Sequence, residues 1–133
     1  MTRVVLAAAL AIVAVVVAAI ARHRSSPEAP SQPAWAAPAQ LDRADFDRPD
    51  APQLVVVFSS ATCSTCASMV TKAEALSSAS VVVQEVEVTA RPELHQRYGI
   101  DAVPITVVAD VEGVVRASFV GPASAEELWA SLA

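Results

Sequence analysis

Only two cysteines, two histidines and three glycines occur in this 133-residue chain, and aromatic residues make up 5% of it. Each scarcity narrows the range of functions. Structural zinc sites take four ligands, usually two cysteine pairs or one pair with two added histidines. Here the single pair, Cys63 and Cys66, is accompanied only by His23, beside the N-terminal apolar run, and by His95. The glycines form no nucleotide-binding pattern, so a bound nucleotide is not an expected source of electrons or phosphate. Basic residues are short as well. From Leu41 to Ala133, six of them (Arg43, Arg48, Lys72, Arg91, Arg97, Arg116) stand against thirteen Asp and Glu, a net of −7. An acidic domain with no basic cluster argues against nucleic-acid binding. No internal repeat is visible.

What the chain has in abundance is valine and alanine, within an apolar content of 54%. Valine runs favour strands and alanine runs favour helices. Three regions separate by composition. Residues 1–24 contain Val4 to Ala21, which has 18 residues and no charge. As a helix it would span roughly 27 Å, enough for a bilayer core. Arg3 and the closing Ala19-Ile20-Ala21 also fit a cleavable secretory signal. The length of the run and the Arg directly after it favour an uncleaved single-pass anchor. Arg22, His23 and Arg24 follow the span, while Arg3 and the amino terminus precede it, a bias of about one charge that does not choose a membrane side. Residues 25–40, rich in Pro, Ala and Ser and including Trp35, read as a semi-extended tether. Residues 41–133, about 90 in number, suffice for one small core.

Within that domain, Leu41–Asp47 is amphipathic and reads as a short helix with Leu41, Ala44 and Phe46 facing inward. Gln53 to Ser60 is a continuous apolar run of strand length, the pattern of a strand covered on both faces. From Cys63 the apolar positions Cys66, Met69, Val70, Ala73 and Leu76 recur at helical spacing, so a helix of about 15 residues is expected to open within the cysteine motif. Val81–Val88 reads as a strand. Pro92–Tyr98 reads as a short helix, started by Pro and stopped by Gly99. "PITVVA" and "VVRASFV" flank the turn "DVEG" and predict an antiparallel hairpin. Ser124 to Glu127 is a capping-box pattern that opens a last helix through Leu128, Trp129 and Leu132. Strand–helix–strand wants a parallel crossover and the hairpin adds antiparallel strands, so a mixed sheet is expected.

The cysteine pair, three positions apart, is compatible with a staple, a metal site or an exchange centre. A staple closing so short a loop removes little unfolded-chain entropy. A metal role would need a second copy of the chain or a soft, low-coordinate ion such as Cu(I). Thiol–disulfide exchange fits the context best. Cys63 falls at the start of a helix, where free N–H groups and the helix dipole stabilise a thiolate, and Cys66 falls one turn further in. Cys63 is then the exposed nucleophile and Cys66 the buried resolving thiol.

In "VVVFSSATCSTC", "YGIDAVPIT", "VEGVV", "VGPAS" and the closing helix, the region from Leu41 to Ala133 resembles the thioredoxin family. The resemblance implies a thioredoxin-like three-layer α/β/α sandwich with a mixed sheet, here preceded by one transmembrane helix. It implies that Pro104 is cis and lies against the cysteine pair, with the backbone of Val103 pairing with an extended substrate. It also implies departures. Thr62 stands where many relatives have Trp, and Ser64-Thr65 where they have Gly-Pro. The family's buried acid aligns with Val57 and its partner Lys with Glu85, which leaves Glu85 or water as the candidate proton relay for Cys66. The expected function is a membrane-tethered thiol–disulfide oxidoreductase with no cofactor beyond the cysteine pair. Its expected partners are protein disulfides or dithiols and an electron donor or acceptor. The rival readings are a Cu(I)-binding module using the same two sulfurs and a non-catalytic interaction module.

Overall fold

The computed structural model describes Met1, Val5, Ala9, residues 11–17 and residues 36–132. It divides into two units, Met1–Ala34 and Trp35–Ala133. In the first, residues 11–17 are helical and exposed. Among the described residues no helix is long and apolar enough to cross a membrane. Much of the span expected at Val4–Ala21, and the tether as far as Trp35, lies outside the described residues.

The second unit is built around β1 (Gln53–Ser59), whose residues from Leu54 onward are all buried. Side chains alternate across a strand, so one valine run serves two cores. Val55 and Val57 pack with Met69, Ala73 and Leu76 of α1 (Ser64–Glu74) and its end, and with Leu128 of α3 (Ala125–Ala130). Leu54, Val56 and Phe58 pack on the opposite face with Leu41, Phe46 and Leu94, the last from α2 (Pro92–Arg97). The remaining strands are β2 (Val81–Glu87), β3 (Ile105–Asp110) and β4 (Val115–Val120). The sheet order is β2-β1-β3-β4. β1 and β2 run parallel, while β3 pairs antiparallel with both β1 and β4. This is the expected mixed sheet with helices on both faces.

Several expectations shift in detail. The segment after Leu41 is a single 3-10 turn, Arg43–Asp45. Leu41 and Phe46, on either side of it, are buried, but Ala44 is exposed and Arg43 is buried in its place. The reason is hydrogen bonding: the Arg43 guanidinium donates to the carbonyls of Ala51 and Asp110, both at 2.9 Å, and of Arg48 at 3.0 Å. Helix α1 has 11 residues rather than about 15. Beyond its cap the Ser78 hydroxyl accepts from the Ser80 and Val81 amides, so the serines satisfy a turn instead of a further helical turn. The capping box at Ser124 and Glu127 is present.

Gln40, whose composition groups it with the tether, bridges to Val114. The crossing is tight. Leu41 N–H donates to the Gly113 carbonyl at 2.8 Å, and a Cβ on Gly113 would stand 2.0 Å from the Leu41 carbonyl oxygen. Gly113 also has φ +82°, so both its missing side chain and its conformation are used.

Candidate active site

β1 ends at Ser59, and the chain turns through Ser60–Thr62 before entering α1, with the Cys63 N–H donating to the Ser60 carbonyl at 3.1 Å. Cys63 is the N-cap of α1, in extended conformation at φ −99° and ψ 109°. Its sulfur accepts from the Cys66 amide at 3.2 Å and lies 3.4 Å from the Thr65 hydroxyl. Cys66 lies in the first turn of the helix. The two are joined as a disulfide with a Cα–Cα distance of 5.3 Å. Their accessibilities differ: Cys63 is half-buried, whereas Cys66 is 1% exposed. An attacking group therefore reaches Cys63 first.

The Val103–Pro104 peptide is cis. Pro104 is buried, and its carbonyl accepts from the Gly121 amide at 2.8 Å, which fixes the loop onto the end of β4. Among the described residues no group hydrogen-bonds the N–H or C=O of Val103. A small recess of about 150 Å³ next to it is lined by Val88, His95, Ile100, Asp101, Ala102 and Val103.

Glu85 lies on β2 directly opposite Val57, and Thr106 lies opposite Val57 on β3. Val57 thus sits between a carboxylate and a hydroxyl on its two neighbouring strands, while α1 covers it with apolar side chains. The fully buried Ser59 hydroxyl, two residues further along β1, donates to Glu85 Oε1 at 2.5 Å. The Thr106 hydroxyl is buried and has no partner among the described residues. Ser59 and Val57 share a strand face, and that face is the one α1 covers through Met69 and Ala73.

Glu87, two residues beyond Glu85 and on the same face, holds the loops together. One carboxylate oxygen accepts from the Ala61 amide at 3.2 Å. The other accepts from the Thr89 amide at 3.0 Å, the Thr89 hydroxyl at 2.5 Å and the Ala90 amide at 2.9 Å. These donors, the Thr89 hydroxyl foremost, lower its pKa to about 2. Sequence reasoning passed over Glu87, although the alternation in "VVVQEVEV" already puts it on the face of Glu85. Ser59 and Thr106 were hidden inside apolar runs.

His95 belongs to the other layer. Its Nε2 donates to the Val86 carbonyl at 2.8 Å and its ring stands edge-on to Phe58. Tyr98 ties α2 to the 3-10 turn, donating to Asp45 and accepting from the Asp42 amide at 3.0 Å. Burial and Asp45 push its pKa up to about 12. Both are packing residues. Among the described residues no three His, Cys, Asp or Glu side chains gather as a metal site.

A disulfide pair at the start of a helix that follows a buried central strand is an arrangement suited to thiol–disulfide chemistry in an α/β domain. The thioredoxin family model matches residues 39–133, and the chain belongs to that family. Mitochondrial thioredoxin 3 from Saccharomyces cerevisiae, in its oxidised form, is similar in structure with a TM-score of 0.51 and 22% identity. That match covers 60% of this chain and 76% of the yeast protein. A malarial protein is similar with a TM-score of 0.55 and 14% identity, over 61% of this chain and 93% of its own. At these identities the two structures speak for the fold alone. No curated protein matches the chain in sequence.

Proposed function

We propose that the chain is a membrane-tethered oxidoreductase that exchanges disulfides with protein or small-thiol partners through Cys63 and Cys66. The observation that carries this reading is the cysteine pair itself, disulfide-bonded at the N-cap of α1 with one sulfur accessible and the other covered. In the reducing direction, the Cys63 thiolate attacks a partner disulfide. A Cys63–partner bond forms, and the partner's other sulfur leaves as a thiolate. Cys66 then attacks Cys63, re-forming the internal disulfide and releasing the second partner thiol. The partner gains two electrons and the domain loses two. The reverse sequence oxidises a dithiol. Val103 would hold an extended partner segment by its backbone groups, with Pro104 setting their orientation.

Cys66 must lose a proton before it attacks. Glu85, linked to the buried Ser59 hydroxyl, is the acceptor we assign to that proton. Its exposed carboxylate can return the proton to water. Identical pH–rate profiles for wild type and Glu85→Gln would remove it from that role. The anchor reading rests on the uncharged run Val4–Ala21.

The test of exchange is trapping. Cys66→Ser should freeze partners on Cys63 as mixed disulfides that reductant releases, and Cys63→Ser should trap none. Recovery of no Cys63-dependent adduct from any compartment would count against exchange.

A further inference from the structure

The reading as an exchange enzyme leaves its direction open, and the charges around the pair bear on that. Glu85 and Glu87 project from the end of β2 on the face that also carries Ser59. One is held by the Ser59 hydroxyl and the other by the Ala61 amide, two residues before Cys63. With consecutive Cα atoms about 3.8 Å apart, the Glu87 carboxylate stands on the order of 10 Å from Cys63. Glu87 is anchored by four hydrogen bonds, so its charge is fixed in place.

Among the described residues, no Lys or Arg pairs with either carboxylate. On α1, Lys72 lies nine residues beyond Cys63 and donates to the Ala123 carbonyl at 3.0 Å. Arg91, which follows the Glu87 loop, pairs with Glu93 at 2.5 Å. Arg97 pairs with Asp42 and Asp45, and Arg116 with Asp110. Arg43 and Arg48 donate to backbone carbonyls. On the cis-Pro loop the titratable residue is Asp101, another acid, and His95 is turned away to the Val86 carbonyl. The Cys66 amide and the start of α1 favour a Cys63 thiolate. The two carboxylates oppose it.

We propose that Glu87 and Glu85 set the Cys63–Cys66 couple toward its reducing side, so that the domain works as a donor of electrons to partner disulfides. The inference rests on the exchange reading above. A nearby negative charge destabilises the thiolate and hence the reduced protein. A less stable reduced form is a stronger reductant, the converse of oxidants whose reduced form is stabilised. Each turnover transfers two electrons to the partner's disulfide, whose sulfurs leave as thiols. The oxidised domain must then be reset by a dithiol donor.

The experiment is equilibration of the 133-residue chain, in detergent, with reduced and oxidised glutathione at pH 7. Wild type, Glu87→Gln, Glu85→Gln and the double variant are compared. Glutamine keeps a carbonyl acceptor for the Ala61 amide or the Ser59 hydroxyl while removing the charge. Glu87→Gln should shift the equilibrium roughly two- to tenfold toward the reduced protein, as expected for unit charges about 10 Å apart near a surface, and Glu85→Gln should shift it in the same direction. The double change should shift it further, and thiolate absorbance should show Cys63 titrating at lower pH. The shift should shrink between about 0.05 M and 1 M salt, where screening becomes short-ranged. A purely structural effect of the substitutions would not follow salt in this way. If Glu87→Gln fails to fold, Glu85→Gln alone decides. Unchanged equilibria, or shifts toward the disulfide, would overturn the proposal while leaving exchange intact. A wild-type chain that never equilibrates with glutathione would overturn the exchange reading itself.

Discussion

Glu87 illustrates how a single side chain can organise a site without appearing in any motif. It binds the loop that leads to Cys63 and the loop that follows β2 with one carboxylate. Its folded pKa of about 2 lies below the usual carboxylate value of 4.5. The ionised form is therefore favoured by folding, and its contribution to stability is present above pH 4.5 and lost as pH falls toward 2. Acid unfolding of Glu87→Gln, followed by circular dichroism, should show a shallower loss of stability in that window than wild type. Thr106 is the opposite case. Its buried hydroxyl has no partner among the described residues, so Thr106→Val removes a desolvated polar group without changing side-chain shape. Denaturant titration should show a gain of about 1 kcal/mol. Arg43 shows why some residues could not be read from sequence. Amphipathic spacing turns charged residues outward, but three carbonyls converging from Ala51, Arg48 and Asp110 make an interior place for a guanidinium. Those carbonyls are assembled only by the fold.

At the level of elements, the strands and helices were legible wherever one period dominated. The valine run of β1, the helical spacing from Cys66 to Leu76 and the capping box at Ser124 each map onto an observed element. The candidate site was legible to the same extent: the cysteines and Pro104 stand in recognisable strings. Their polar surroundings depend on which strands become neighbours. Only the pairing of β1 with β2 and β3 puts Glu85 and Thr106 on either side of Val57. The N-terminal edge of the domain was similarly hidden. Gln40 has the composition of a tether, yet Leu41 and Ala39 hydrogen-bond across the β3–β4 hairpin at Gly113 and Val115. That crossing depends on glycine. Gly113→Ala combines a positive φ with a contact of 2.0 Å to the Leu41 carbonyl, and should destabilise the domain by about 2 kcal/mol or more. Denaturant unfolding checks this, and a loss below about 0.5 kcal/mol would mean that the crossing is not tight.

For the whole molecule, the membrane tether we propose is the uncharged run Val4–Ala21 that precedes the acidic redox domain. Deleting residues 4–21 should move the chain from the membrane pellet to the soluble fraction while preserving glutathione exchange. Retention of the deleted chain in carbonate-washed membranes would refute the anchor. For the proposed exchange, an acidic substrate protein should react more slowly than a basic one at low salt, because like charges suppress encounter. In the exchange we propose, Cys63 attacks and Cys66 resolves. Its most direct measurement is reduction of a fluorescent protein disulfide by the full 133-residue chain with a dithiol as electron source. The wild type should turn over many times, Cys66→Ser should stop at one covalent adduct per chain, and Cys63→Ser should be inert. Undiminished turnover by Cys63→Ser would contradict the account.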